Sequence, residues 1–343
     1  MAYTTINKSS AHFNTKLYTG NGGTNNITGV GFKPDWTWLK KRNGTANHHL
    51  VDSVRGVGYY LYANLTNAQG GNGSALLTSF NTDGFTLDAG ANSNASGATG
   101  VSWNWKAGGT ASSNTNGSIT SSVSANPTAG FSISKYTGTG SNATVGHGLG
   151  AVPKMIIVKK LSGSDSWTIY HTSLGATKKI NFDTGAVGTQ SDRWNDTSPT
   201  NTLFSIGTNG SVNANNATYV AYCFADKQGY SKFGSYVGTG NADGAFAYTG
   251  FKPTFMMVKR AIGGTGNWGI IDNTRPGYNQ SDKVLKPNTA EVEATGWGYH
   301  DLLSNGFKNR GTDGAMNTAG ATYIYMAIGQ SIVGTNNVPC TAK

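Results

Sequence analysis

The chain reads as an all-β protein made of three tandem β-sandwich repeats, jelly-roll-like and about 100 residues each. Three observations carry this expectation. Composition comes first: the 343 residues include 49 Gly, 16 Tyr, 13 Phe and 8 Trp, and only 12% are charged. Gly, Asn, Ser and Thr separate short aromatic and β-branched runs, as in brief strands joined by tight turns. Glu291 and Glu293 are the only glutamates, whereas exposed helices draw heavily on Glu and Lys. Second, a set of anchors recurs three times in one order. Third, aromatic and β-branched residues alternate along the segments that close each recurrence, the period of a strand with two different faces.

The first anchor is Tyr18-Thr-Gly-Asn-Gly22, Tyr136-Thr-Gly-Thr-Gly140 and Tyr236-Val-Gly-Thr-Gly240. The second is a proline leading into an apolar run that ends in base: Pro34 to Lys40, Pro153 to Lys159, and Pro253 to Lys259. Proline suits the first residue of a strand, where no ladder donor is lost. The apolar run behind it suits a strand buried on both faces. The closing anchor is Ser96 to Trp105, Asn216 to Phe224 and Ala319 to Ala327. Weaker matches lie between: Trp167-Thr-Ile-Tyr170 with Trp268-Gly-Ile-Ile271 and His49-Leu-Val-Asp52, and Leu77-Thr-Ser-Phe80 with Leu203-Phe204 and Leu303-Ser-Asn-Gly-Phe307.

These anchors place the repeats at 13–107, 131–226 and 230–330. Residues 108–130 read as a polar linker that adds one strand at Ser118–Ser122. The N-terminal arm 1–12 and the C-terminal tail 331–343 have no pattern of their own and read as arms that order on a partner.

The formal charge is +10 and the pI near 9.4. Basic residues fall in short groups, Lys40-Lys41-Arg42 the longest, with Lys159-Lys160, Lys178-Lys179 and Lys259-Arg260 as pairs. Nucleic-acid or membrane binding usually shows longer runs, so these are expected as solvated strand ends, with no nucleic-acid partner. Cys223 sits in an apolar run and reads as a buried thiol, while Cys340 sits in a polar tail. Two cysteines so far apart suit neither a disulfide framework nor a metal site. The first residues show no signal peptide and no apolar run reaches membrane-helix length, so neither secretion nor membrane insertion is expected.

Catalytic equipment is thin. Glycoside hydrolysis needs two facing carboxylates, yet Asp83 and Asp313 sit in Thr-Asp-Gly turns, and Glu291 and Glu293 read as solvated surface. His48, His49, Asp52 and Ser53 are adjacent in sequence, whereas triads assemble from distant loops. His147 reads as a turn or surface residue. Spacing for a metal site, a phosphate loop or a cofactor is absent, so no catalytic residue, metal or cofactor is assigned. For binding, Trp36, Trp38, Trp103, Trp105, Trp167 and Trp268 are expected in the core. Trp194 and Trp297 lie in loop-like contexts, where exposed rings would stack on sugar faces; they are the ligand-binding candidates.

Several segments carry a family resemblance: His49-Leu-Val-Asp-Ser-Val-Arg-Gly56, Leu77 to Leu87, Trp103-Asn-Trp-Lys-Ala-Gly-Gly109, Thr144 to Gly150, Tyr219 to Asp226 and Tyr230 to Tyr236. Over nearly the whole chain they resemble a repeat family of tailed-bacteriophage virion proteins, found especially in phages of cyanobacteria and marine bacteria. The glycine at Gly100, where the other copies have Tyr, departs from its pattern. The resemblance implies a virion structural protein made in the host cytoplasm and exposed on the particle. It would be a tail fibre or tail-associated host-recognition component, without enzymatic activity. Its expected partners are other virion proteins, further copies of itself as a trimer, and a host surface glycan. The alternatives are a capsid decoration protein clamped by its terminal arms, and a carbohydrate-binding module.

Overall fold

The computed structural model describes residues 3–71, 76–89, 92–296 and 299–331. Its first part runs through β1 (Phe13–Thr19), β2 (Asn25–Thr28), β3 (Trp36–Lys41), β4 (His49–Asp52), β5 (Leu61–Tyr62), β6 (Leu77–Asn81), β7 (Gly84–Leu87) and β8 (Thr99–Trp105). Then come β9 (Ser112–Asn114), β10 (Ser121–Asn126), β11 (Phe131–Thr137), β12 (Ala143–Gly146), β13 (Pro153–Lys160), β14 (Thr168–His171), β15 (Lys178–Lys179) and β16 (Gly188–Thr189). One-turn helices α1 (Ser191–Trp194) and α2 (Gly210–Asn213) flank β17 (Leu203–Ile206), before β18 (Thr218–Ala225). The last part holds β19 (Ser231–Val237), β20 (Phe246–Tyr248), β21 (Phe251–Ile262), β22 (Trp268–Asp272), β23 (His300–Leu303), β24 (Gly306–Asn309), α3 (Gly314–Asn317) and β25 (Thr322–Ser331).

Three large sheets share one strand order: β1-β8-β3-β4, β11-β18-β13-β14 and β19-β25-β21-β22. The first gains β5 beside β4, and the second gains β10 and β9 beside β11. Small sheets β2-β7-β6, β12-β17 and β20-β24-β23 lie against them. Apolar clusters fill the space between each pair, one holding Leu39 and Phe85, one Ile156 and Phe204, and one Met256 and Phe307. The opposite faces of the large sheets turn inward together. Trp36, Trp38, Trp103 and Trp105 there meet Tyr222 and Phe224 of the second sheet and Phe255 and Met257 of the third. Trp36 stacks on Tyr222 with centroids 4.3 Å apart. β3, β13 and β21 are therefore covered on both faces, which is why they read as unbroken apolar runs.

The Tyr-x-Gly anchor has a steric cause. The amides of Gly20, Gly138 and Gly238 donate to the carbonyls of Ala98, Ala217 and Ala321. A Cβ there would sit 2.3, 2.4 and 2.2 Å from the carbonyl oxygens of Ala95, Ala214 and Thr318, so only glycine lets the chain pass. A buried asparagine ties each of these turns. Asn94, Asn213 and Asn317 accept from the amides of Asn21, Thr139 and Thr239 and donate to the carbonyls of Gly23, Ser141 and Asn241.

Two sequence expectations are corrected here. Residues 108–130, read as a polar linker with one strand at 118–122, carry two strands, of which β10 starts at Ser121. They supply β9 and β10, which pair onto the second sheet, and Ile119 is buried in its satellite core. Residues 3–12 are not a partner-dependent arm, because Ile6 is buried in the central core and Ser9 bonds Gln330 through its amide and hydroxyl. The tail beyond Ser331 lies outside the described residues.

Candidate functional site: the junction of the three sheets

Beyond the shared apolar core, one polar tie from each large sheet reaches the next, and the ties run in a closed cycle. Asp52, at the end of β4, accepts 2.7 Å from the hydroxyl of Tyr222 on β18. His171, at the matching end of β14, meets the carbonyl of Tyr325 on β25 through Nε2 at 3.1 Å. Asp272, at the end of β22, accepts 3.0 Å from Nε1 of Trp103 on β8. These three residues stand opposite Trp36, Met155 and Phe255 in their own sheets. First joins second, second joins third, and third joins first.

Two of the three ties carry a buried ion pair. Arg55 Nε meets Asp52 at 2.5 Å and Arg275 Nε meets Asp272 at 2.6 Å, with all four side chains fully buried. Each arginine also reaches back to its own strand, at the carbonyls of Leu50 and Ile270. Burial works against the charge on Arg55, but Asp52 and Tyr222 together more than offset it and raise the guanidinium above its ordinary value. The arginine of the second sheet is replaced by Leu174, and there His171 turns its Nδ1 to the amide of Ser173. Burial pushes His171 down to about 4, so it joins the ring as a neutral imidazole.

A second set of ties runs in the opposite sense. Lys40, Lys159 and Lys259, expected as solvated strand ends, are fully buried. Lys40 donates to the carbonyls of Ala46 and Ala290, and Lys159 to those of Asp165 and Thr66. In each pair the second carbonyl belongs to a neighbouring sheet's loop. Lys259 donates to the carbonyl of Gly266 and lies in the field of Asp183. Burial lowers all three to about 8. Trp167 Nε1 bonds the carbonyl of Tyr62 at 2.9 Å, and Trp268 Nε1 that of Asn181 at 2.8 Å. His48, in the equivalent place, faces the backbone of Lys286.

The loops after Tyr62, Asn181 and Lys286 converge around a cavity of about 310 Å³. In two of them the same device closes the wall. Asn64 accepts from the amide of His48 and donates to Asn47, and Asn288 accepts from the amide of Trp268 and donates to Asn267. The second sheet has Ser166 and Asp183 at these two places. Asp183 instead accepts from the amide of Gly185 and from Asn181 Nδ2. Asn181 Oδ1 is buried with no partner in the protein. Trp167 and Phe182, 5.6 Å apart and edge-on, form the apolar side.

The residues singled out from sequence disperse. Trp194 is not a surface platform; it is 1% exposed, with its ring edge-on to Tyr170 in the second satellite core. The one-turn helix α1 turns it inward. Trp297 lies outside the described residues. Among the described residues, the exposed rings are instead Phe246, Tyr248 and Tyr278. His147 is buried rather than a surface residue, bonded to the carbonyl of Thr200 and the amide of Leu149. Glu293 is not free surface: it joins Arg42 and Arg275. Burial favours its neutral form, but the two arginines hold it below its ordinary value. Glu291 is exposed and pairs with Lys286. Asp83 accepts from the amides of Gly29 and Gly31, and Asp313 caps α3. Ser53 bonds Asp35, not a histidine. That Asp35 also accepts from the amides of Ala107 and Gly109, at the edge of a recess of about 760 Å³ bordered by Lys33 and Lys106. Among the described residues, no three His, Cys, Asp or Glu side chains gather as a metal site would need, and no helix is long and apolar enough to cross a membrane. Cys223 is buried; Cys340 lies outside the described residues.

Fold and junction together define an all-β protein whose three sandwiches close on one another through buried polar ties. The chain belongs to the family described as a domain of unknown function (DUF7483), whose model matches residues 8–331 and so takes in all three large sheets at once. No curated protein matches the chain.

Proposed function

We propose that the chain is a non-catalytic surface protein of a tailed-phage particle, acting as a tail fibre or tail-associated component that recognises the host. The cyclic junction supports this reading best. It ties the three large sheets around one shared core, with the small sheets packed through separate apolar clusters. The titratable groups that sequence brings together serve as struts: Asp52 and Asp272 hold arginines, Glu293 holds two, and the buried lysines hold carbonyls. Such an object presents surfaces; it does not position a reacting bond. The resemblance of the anchors to phage virion proteins supplies the particle. Capsid decoration is disfavoured by residues 3–12, which pack on their own chain instead of reaching outward.

Quantitative mass spectrometry of purified particles, scaled to the major capsid protein, tests this directly. The expected result is a few to a few tens of copies per particle. A ratio near that of the capsid protein would assign the chain to the head. Absence from the particles would overturn the reading altogether.

A further inference from the structure

We propose that the cavity where the three loops meet takes a single neutral sugar residue, such as the terminal hexose of a surface glycan. This deepens the host-recognition reading and rests on it. Ligand sites in proteins usually span about 300–1,000 Å³, so a cavity of about 310 Å³ fits one ring and not an oligosaccharide.

Its chemistry is that of polyol recognition. Asp183 uses its two oxygens once each within the protein, on Gly185 and Asn181. An ionised carboxylate offers about four acceptor sites, so capacity remains for adjacent hydroxyls. Asn181 also lines this space. Ser166, Thr184 and Thr289 line the same space, and Leu65 with the rims of Trp167 and Phe182 gives it an apolar side for a sugar's C–H groups.

The cavity's position also argues for function. In the first and third sheets the Asn47–Asn64 and Asn267–Asn288 pairs close the corresponding wall at 2.8 and 2.7 Å. Only the second sheet, with Ser166 and Asp183, breaks this device, and the cavity is lined by that break. A loop with a purely structural task had a working solution available twice in the same chain.

The test is saturation-transfer NMR on the full chain with free glucose, galactose, mannose and N-acetylglucosamine as probes. The wild type is expected to bind at least one of them at millimolar strength. The double substitution Ser166→Asn with Asp183→Asn rebuilds the asparagine pair of the other two sheets. It should weaken binding at least about tenfold while the thermal midpoint stays put. Asp183→Asn alone keeps the shape, removes the charge and should also weaken binding. It decides the matter if the double variant fails to fold. No binding by the wild type, or undiminished binding by the folded variants, overturns the assignment. Either result stands apart from the particle measurement, in which the host-recognition reading fails if the chain is missing from virions or present at the capsid protein's ratio.

Discussion

Nε1 of Trp103 donates to Oδ2 of Asp272 at 3.0 Å, across 169 positions of sequence. The bond joins the closing strand of the first sheet to the edge of the third, with Arg275 set 5.6 Å over the same indole. It completes the cycle begun by Asp52–Tyr222 and His171–Tyr325.

Asp272→Ala leaves Arg275 without its nearer carboxylate in a fully buried site. Breaking one side of such a pair costs about 3–5 kcal/mol. Chemical denaturation is expected to show a loss of that order. A loss below about 1 kcal/mol would mean that the tie contributes little.

Tyr222→Phe deletes only the hydroxyl that Asp52 accepts at 2.7 Å and that Arg55 also meets. Hydrogen bonds to charged groups are worth about 1.5–3 kcal/mol, and the stacking on Trp36 is retained. The expected destabilisation lies in that range by urea titration, with an unchanged m-value.

Gly100 faces Tyr18 across the first sheet, where the other sheets stack Tyr136 on Tyr219 and Tyr236 on Tyr323. A Cβ on Gly100 would lie 2.2 Å from the Tyr18 ring. Gly100→Ala is therefore expected to cost about 1–3 kcal/mol by overpacking. Adding Tyr18→Ala should recover part of that loss, since residues in contact do not act additively. Independent effects would show that the ring is not the obstacle.

Acid should loosen the fold before it protonates most carboxylates. Burial pushes His49, His147 and His171 down to about 4, from an ordinary value of 6.5. Below 6.5 the unfolded chain binds protons that the folded chain refuses until about 4. Stability is therefore complete above 6.5 and is lost as pH falls through that window. Each full shift corresponds to about 3 kcal/mol, so the urea midpoint should drop steadily from neutral pH toward about pH 4.5. A flat profile over that range would contradict neutral burial of these histidines.

Much of the fold was legible because steric demands leave local traces. Tyr18, Tyr136 and Tyr236 mark the penultimate residues of β1, β11 and β19, and the prolines precede or enter β3, β13 and β21. Aromatic pairs such as Trp36 and Trp38 fall on one strand face and are buried, as alternation implies. The site was far less legible. Asp52-x-x-Arg55 and Asp272-x-x-Arg275 recur in the sequence, but His171 and Leu174 hide the third copy. The buried asparagines 94, 213 and 317, each five residues before a closing-strand threonine, left a trace that composition alone conceals among many asparagines. Lys40, Lys159 and Lys259 look like strand-end charges because nothing local reveals that a neighbouring sheet's loop covers them. Trp194 sits in a polar stretch, and only the turn of α1 sends it inward.

Hydrogen exchange on the wild type and on Asp272→Ala tests most directly whether the three sheets form one closed ring. Closure predicts that the substitution lowers protection together in β8, β18 and β25, the central strands of all three large sheets. Loss confined to β22 and its immediate neighbours in the third sheet would contradict it.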